Sequence, residues 1–157
     1  MEINRYLENQ IGQDLKEKMV FLGGPRQVGK TFLSRKFIHS DSQYLSWDKA
    51  SDKKIILNDK MDIKLGLIVL DEVHKYKFWR TFLKGYYDKF FPRLNFLVTG
   101  SARLDYFRKG GDSLLGRYHY LRLHPLSLRE LSKQPGPNEL TRLLDFGGFP
   151  EIGRAHV

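Results

Sequence analysis

The stretch Gly24-Pro25-Arg26-Gln27-Val28-Gly29-Lys30-Thr31, "GPRQVGKT", decides how this chain folds. It fits the pattern G-x-x-x-x-G-K-[ST] in full, and each part answers a physical need. Gly24 and Gly29 reach backbone angles that other residues resist, so successive amides can turn inward toward phosphate oxygens. A helix beginning near Lys30 would aim the positive end of its dipole at the same anion. Lys30 is then placed to reach a nucleotide's β- and γ-phosphates, and the Thr31 hydroxyl to ligand Mg²⁺. Pro25, Arg26, Gln27 and Val28 complete the cradle. Arg26 could meet nucleotide or a partner, and the sequence does not separate the two. With glycine at about 7% of residues, the full pattern arises by chance in well under about one chain in a hundred of this length. A mere glycine turn with a surface lysine fits less well, because an apolar strand precedes the match and a helix follows it.

Outward from the loop, the chain alternates strands with helices. "MVFLGG" before it reads as a buried strand closed by a tight turn. The segment before that places Ile3, Leu7, Ile11 and Leu15 at helical spacing. "KTFLSRKFI" resumes helical spacing through Phe32, Leu33 and Phe37. "QYLSW" predicts a short strand, and "DKASDKKIILNDK" a polar helix or loop. "LGLIVLDE" is a second buried strand. "KFWRTFLKGYYDKFF" predicts an amphipathic helix that Pro92 closes. "LNFLVTGSA" is a third buried strand, and "RYHYLRLHP" one whose alternation predicts a half-exposed position. "LSLRELSK" and "NELTRLLDFGG" predict two short closing helices. This alternation implies a parallel α/β sheet covered on both faces, with ligands bound beyond the carboxyl ends of its strands.

The polar residues gather at those ends. Four apolar residues bury "LIVLDE", so Asp71 and Glu72 emerge together. Asp71 would hold Mg²⁺ through its water shell, and Glu72 would polarise an attacking water as general base. Two acids after a strand more often form a solvated turn. The phosphate loop roughly 40 residues earlier reverses that reading. "FLVTGS" brings Thr99 and Ser101 to the next strand end. There a hydroxyl can sit beside the γ-phosphate, with Ser101 slightly preferred as the sensor. The alternative is that Ser101 caps the helix beginning "ARLDYF". Arg117 in "LLGRY" is a candidate to meet charge on the γ-phosphate, in its own chain or a neighbour's, against the commoner role of a surface arginine.

Composition sets the outer limits. The 157 residues make one domain's worth of chain, 41% hydrophobic and 29% charged, with no cysteine. Disulfides, thiolate zinc sites and cysteine nucleophiles are excluded. The five histidines fall at no metal-ligand spacing and read as surface or packing residues. No apolar run approaches the roughly 20 residues of a membrane-spanning helix, and "MEINRYLENQ" carries no signal-peptide core, which predicts a cytoplasmic protein. The formal charge of +9 is spread in short runs mixed with acids. It reads as a solvated surface first and a nucleic-acid face second.

"GPRQVGKT", "LDEVHK", "TGSARLD", "GRYHYLRLHPLSLRE" and "FGGFPE" occur in the order seen in the AAA-like P-loop ATPases of bacteria and archaea. The chain resembles that family over about residues 4 to 150. The resemblance implies a three-layer core of the additional-strand class with strand order 5-1-4-3-2. It implies ATP and Mg²⁺ as cofactors, with Lys30, Thr31, Asp71 and Glu72 as their residues, Ser101 at the sensor position and Arg117 as the arginine of the "GR" element. Family members continue into a C-terminal domain of uncharacterised type, for which a nuclease relationship is one reading. They are described only as predicted ATPases. Where the family often has two hydroxyl residues after "TG", this chain has Ser101 followed by Ala102.

ATP hydrolysis driving a conformational change in an attached or partner domain is the leading expectation. A nucleotide-gated binding module with little hydrolysis, associated with nucleic acid, is the alternative. A small-molecule kinase is disfavoured because Glu72 follows Asp71 directly and no lid segment is evident. A homo-oligomer is left open. The ending qualifies all of these readings. "IGRAHV", residues 152–157, is what ATC GGA AGA GCA CAC GTC encodes, a stretch of a common sequencing adapter whose next codon is a stop. The expectation is therefore a native ATPase core over 1–150, with Pro150 its last fully native residue, cut before its C-terminal domain. Such a piece is expected to bind ATP weakly and turn it over little.

Overall fold

The computed structural model describes residues 4–101, 104, 114–132, 134 and 136–149. Ile3, the helix expected from Ala102 and the tail from Pro150 to Val157 lie outside the described residues. In chain order the elements are α1 (Glu8–Asp14), β1 (Met19–Gly23), α2 (Lys30–Arg35), β2 (Ser42–Ser46), α3 (Ala50–Leu57) and β3 (Leu67–Asp71). A 3-10 turn (Val73–Lys75) follows, then α4 (Trp79–Phe90), β4 (Asn95–Thr99), β5 (Tyr118–Arg122), α5 (Leu128–Leu131) and α6 (Pro137–Phe146). The five strands form one parallel sheet in the order β2-β3-β4-β1-β5, which is the expected 5-1-4-3-2 read from the other edge.

Burial explains which segments become strands. β1 and β4 are buried at every position, and β3 at four of its five. Burying one Val, Leu or Phe side chain stabilises by roughly 1.5–3 kcal/mol. The whole span of β propensity is only about 1 kcal/mol, so core placement decides. Alternation divides these residues between two layers. Met19, Phe21, Ile68, Leu70, Phe96 and Val98 join one cluster with Ile56 of α3 and Trp79, Leu83 and Tyr86 of α4. Val20, Leu22, Val69 and Leu97 join the other with Ile11 of α1 and Leu33 of α2. The result is a three-layer sandwich. Among the described residues β5 pairs only with β1, and its side chains are partly exposed, as the alternation in "RYHYLRLHP" predicts. The ambiguous lysine-rich segment is a helix, α3, anchored by buried Ile56 and by Asp52, which accepts the Ser46 amide at 3.0 Å.

Register places the polar residues. Asp71 stands opposite Thr99, and Thr99 opposite Leu22, so β1, β3 and β4 end at one level. The phosphate loop leaves β1 at that level. Parallel strands give all three ends the same direction, which is why one edge of the sheet collects the chemistry.

Candidate functional site

The loop from Gly24 to Thr31 has the backbone its glycines foretell. Gly24 lies at φ +146° and Gly29 at φ +93°, and Gln27 also takes positive φ at 61°. A Cβ on Gly24 would come within 2.4 Å of the Leu123 carbonyl oxygen, so a side chain cannot be accommodated there without moving backbone. Gly24→Ala is therefore expected to cost about 1–3 kcal/mol of stability, read as a lowered denaturation midpoint. A midpoint equal to wild type would contradict that. Val28 is fully buried and pins the loop to the core, while Arg26 and Gln27 are exposed.

Lys30 opens α2 and turns back under the loop. Its Nζ donates to the Gly24 carbonyl at 3.0 Å and the Pro25 carbonyl at 2.6 Å. Burial pushes the ammonium below its ordinary value, against the opposing pull of Glu72 and Asp71, and Arg26 adds to the lowering. A buried cation of this kind gains from an anion placed beside it.

Asp71 collects three hydroxyl donors. Thr31 Oγ1 donates to Oδ2 at 3.0 Å, Tyr44 donates to the same oxygen at 2.6 Å, and Thr99 donates to Oδ1. Burial, then the bond to Asp71, pushes the Tyr44 phenol up, so it remains a donor. One carboxylate and one hydroxyl at 3.0 Å suit Mg²⁺, which keeps several waters and takes its other ligands from phosphates. Among the described residues no group of three or more His, Asp or Glu could hold a metal ion.

Glu72 follows in the left-handed conformation at φ 58°. Its amide donates to the Thr99 carbonyl at 2.9 Å, which holds this turn against the end of β4. Its Oε2 lies 3.4 Å from Lys75 Nζ and 3.7 Å from His74 Nε2. Lys75 also donates to both oxygens of Asp48, at 2.7 and 2.6 Å. Ser101 Oγ meets His74 Nε2 at 3.4 Å, so the two candidate hydroxyls divide: Thr99 serves Asp71, and Ser101 faces His74. His74 has little exposed surface and sits between Glu72 and Ser101.

Arg117 is not brought to this cluster. It precedes β5, and its carbonyl accepts the Met19 amide at the start of β1. The loop leaves the other end of that strand, about 16 Å away at roughly 3.3 Å per residue. Arg117 instead pairs with Asp88 of α4 through two bonds of 2.6 and 3.1 Å. Arg117→Ala is expected to leave nucleotide affinity within about twofold of wild type, since sites this far apart act independently. Titration calorimetry on the variant reads this directly.

Two further groups belong to the site and carry no motif. Tyr44 is one. Arg5 is the other: its guanidinium donates to the Val28 carbonyl inside the loop at 2.7 Å, to the His124 carbonyl at 2.6 Å and to Glu130 at 2.8 Å. Glu130 also accepts the amides of Tyr6 and Ser127 and the Ser127 hydroxyl. Burial would push its carboxyl up, but the Ser127 amide, Arg5 and the remaining donors outweigh it and hold the group below its ordinary value. A depressed carboxylate stabilises the fold above the ordinary value, and that contribution is lost as pH falls through the folded one. Glu130→Gln is thus expected to be less stable than wild type at neutral pH, with the gap closing in acid. A gap that widens in acid would contradict the assignment.

A family model described as AAA domain matches residues 16–132. The chain belongs to this AAA domain family. It is 29% identical over 140 residues to the uncharacterized proteins Mb2031c of Mycobacterium bovis and Rv2008c of Mycobacterium tuberculosis. Those matches cover 84% of this chain and 30% of each relative, so the chain spans about a third of their length. Among solved structures, a signal transduction ATPase with numerous domains and a tetratricopeptide repeat sensor, PH0952 of Pyrococcus horikoshii, superposes with a TM-score of 0.57. It is 16% identical, over 96% of this chain and 29% of that one. Bacteroides Pif1, solved bound to single-stranded DNA, gives 0.53 at 14% identity, over 94% of this chain and 46% of its own. At these identities the likeness establishes the P-loop fold of this AAA domain and nothing finer. Among its described residues no helix is long and apolar enough to cross a membrane.

Proposed function

We propose that this AAA domain binds ATP with Mg²⁺ and hydrolyses it, and that hydrolysis drives a conformational change in an attached or partner domain. The observation that carries the reading is the contact of Thr31 with Asp71 at 3.0 Å beneath a loop holding buried Lys30. Thr31 and Asp71 would hold the ion, whose charge would offset that of the β- and γ-phosphates. Lys30 would exchange the loop carbonyls for phosphate oxygens. Glu72 would orient and deprotonate the attacking water, with His74 and Lys75 fixing its carboxylate and Ser101 acting through His74. A further domain, for which the longer relatives leave room, would be the natural recipient of the motion.

A second reading, a nucleotide-gated module with little turnover, draws on one observation. The Glu72 carboxylate is already engaged by Lys75, and Arg117 stands at the far end of the sheet. Phosphate release measured with and without DNA or RNA separates the two. Turnover above background that depends on Mg²⁺ and is lost in Glu72→Gln supports hydrolysis. Tight MgATP binding with no release under any condition supports the gated module.

A further inference from the structure

We propose that Arg5 is a positioning residue for the phosphate loop, and that with Glu130 it couples nucleotide binding to the segment from Leu123 to Leu131. The inference rests on the nucleotide-binding reading above and adds a residue that no motif marks.

Val28 lies between Gln27 at φ 61° and Gly29 at φ 93°, so neither helix nor sheet ladder fixes the Val28–Gly29 peptide. A trans peptide directs its carbonyl and its amide to opposite sides. Arg5 Nη1 grips the Val28 carbonyl at 2.7 Å, which leaves the Gly29 amide directed away from Arg5, toward the phosphate cradle. A cation on the carbonyl also polarises the peptide and makes that amide the better donor. Arg5 is suited to the task because it is itself fixed. Its side chain is 3% exposed, with further bonds to the His124 carbonyl and Glu130. Glu130 in turn accepts four hydrogen bonds, from Arg5, Tyr6 and Ser127.

The same segment touches the other end of the loop. The Leu123 amide donates to Gly23 at 2.8 Å, and the Leu123 carbonyl lies where a Gly24 side chain would go. Beyond it, the Leu126 amide donates to Gly148 at 2.6 Å, and a Cβ on Gly148 would come within 2.4 Å of the Leu126 carbonyl. Residues 123–131 are therefore fastened to both ends of the phosphate loop and to the chain after α6. A shift of the loop on binding phosphate has a contiguous route outward, through buried Arg5, Leu123 and Leu126 and the hydrogen bonds of Glu130.

A staple that only stabilises the fold would lower the denaturation midpoint and leave the affinity of the folded protein alone. The test therefore measures MgATP binding by calorimetry, well below the midpoint, for wild type, Arg5→Lys, Arg5→Ala, Glu130→Gln and the Arg5→Lys/Glu130→Gln pair. Hydrogen exchange of residues 123–131 is followed with and without MgATP. Coupling predicts about tenfold weaker binding in each single variant, with the pair losing less than the product of the two, a size ordinary for linked sites. It also predicts protection of 123–131 by MgATP in wild type that is absent from the variants. Should Arg5→Ala not fold, Arg5→Lys and Glu130→Gln carry the comparison, since Lys keeps the charge but cannot make the three-way fork. Wild type that binds MgATP while the variants bind within about twofold, with unchanged exchange, overturns the inference and leaves the nucleotide reading standing. Wild type that fails to bind MgATP overturns that reading, and the inference with it.

Discussion

Glu72→Gln is expected to lower the rate of MgATP hydrolysis by about 10²–10⁴-fold, the usual contribution of a positioned general base, while sparing MgATP affinity. The amide keeps the shape and size of the carboxylate but cannot take a proton from water. The backbone strengthens the choice of residue. Glu72 holds a positive φ of 58°, costly for a residue with a side chain, at the turn where β3 ends. An exposed solvated turn would have no reason to fix a glutamate there, whereas here its amide is tied to Thr99 and its carboxylate faces His74 and Lys75. Because Gln retains the backbone and accepts from Lys75, stability should change by no more than about 0.5 kcal/mol. Phosphate release under saturating MgATP reads the loss. Turnover within about tenfold of wild type would remove Glu72 from the role of base.

Much of the fold was legible because its strands are apolar runs of the length that only a covered parallel sheet explains. "MVFLG", "LIVLD" and "NFLVT" declare themselves by continuous apolarity, and the glycines of "GPRQVGKT" by the positive φ they adopt without steric cost. α3 was ambiguous for an equally physical reason. Its outer face is lysine-rich, and its single buried apolar residue, Ile56, gives almost no periodic signal. The closing helix α6 buries no residue at all, so the apolar spacing in "NELTRLLDF" shows helical period without showing what it packs on.

The site was legible where motif and strand end coincide and obscure where side chains arrive from elsewhere. Lys30, Thr31 and Asp71 meet as their spacing requires. Tyr44 was missed because strand order, not spacing, brings it there. It pairs with Val69 on the neighbouring strand, two residues short of Asp71, and its long side chain covers the gap. His74 reads from sequence as a surface or packing residue; the room made by Gly100, where a Cβ would meet its ring at 2.6 Å, is a feature only of the folded chain. Arg5 stands 23 residues from the carbonyl it grips and 125 from Glu130, beyond any local pattern. Arg117 is open in the sequence to a γ-phosphate of its own chain or a neighbour's; a parallel strand has two ends, and in the fold Arg117 stands at the amino end of β5, away from the phosphate loop.

Lys30→Met should weaken MgATP binding by roughly 10²–10³-fold, since charge-assisted hydrogen bonds to phosphate are each worth about 1.5–3 kcal/mol. Methionine keeps an unbranched apolar stem where Lys30 is buried and removes the charge with its N–H donors, so a loss cannot be assigned to a cavity. The effect on folding runs the other way from the effect on binding. The Gly24 and Pro25 carbonyls lose a donor, which destabilises, but a desolvated ammonium is also removed, which stabilises. These terms are of similar size, and the midpoint should move by only a few degrees, about 1 kcal/mol for a domain of this length. The loss should also grade with the ligand. ATP and ADP present the phosphates Lys30 would reach, whereas AMP does not, so AMP affinity should change least. Calorimetric titration of the three nucleotides into wild type and variant measures the series. An equal loss across all three would mean that the substitution deformed the loop and that Lys30 makes no selective contact with the outer phosphates.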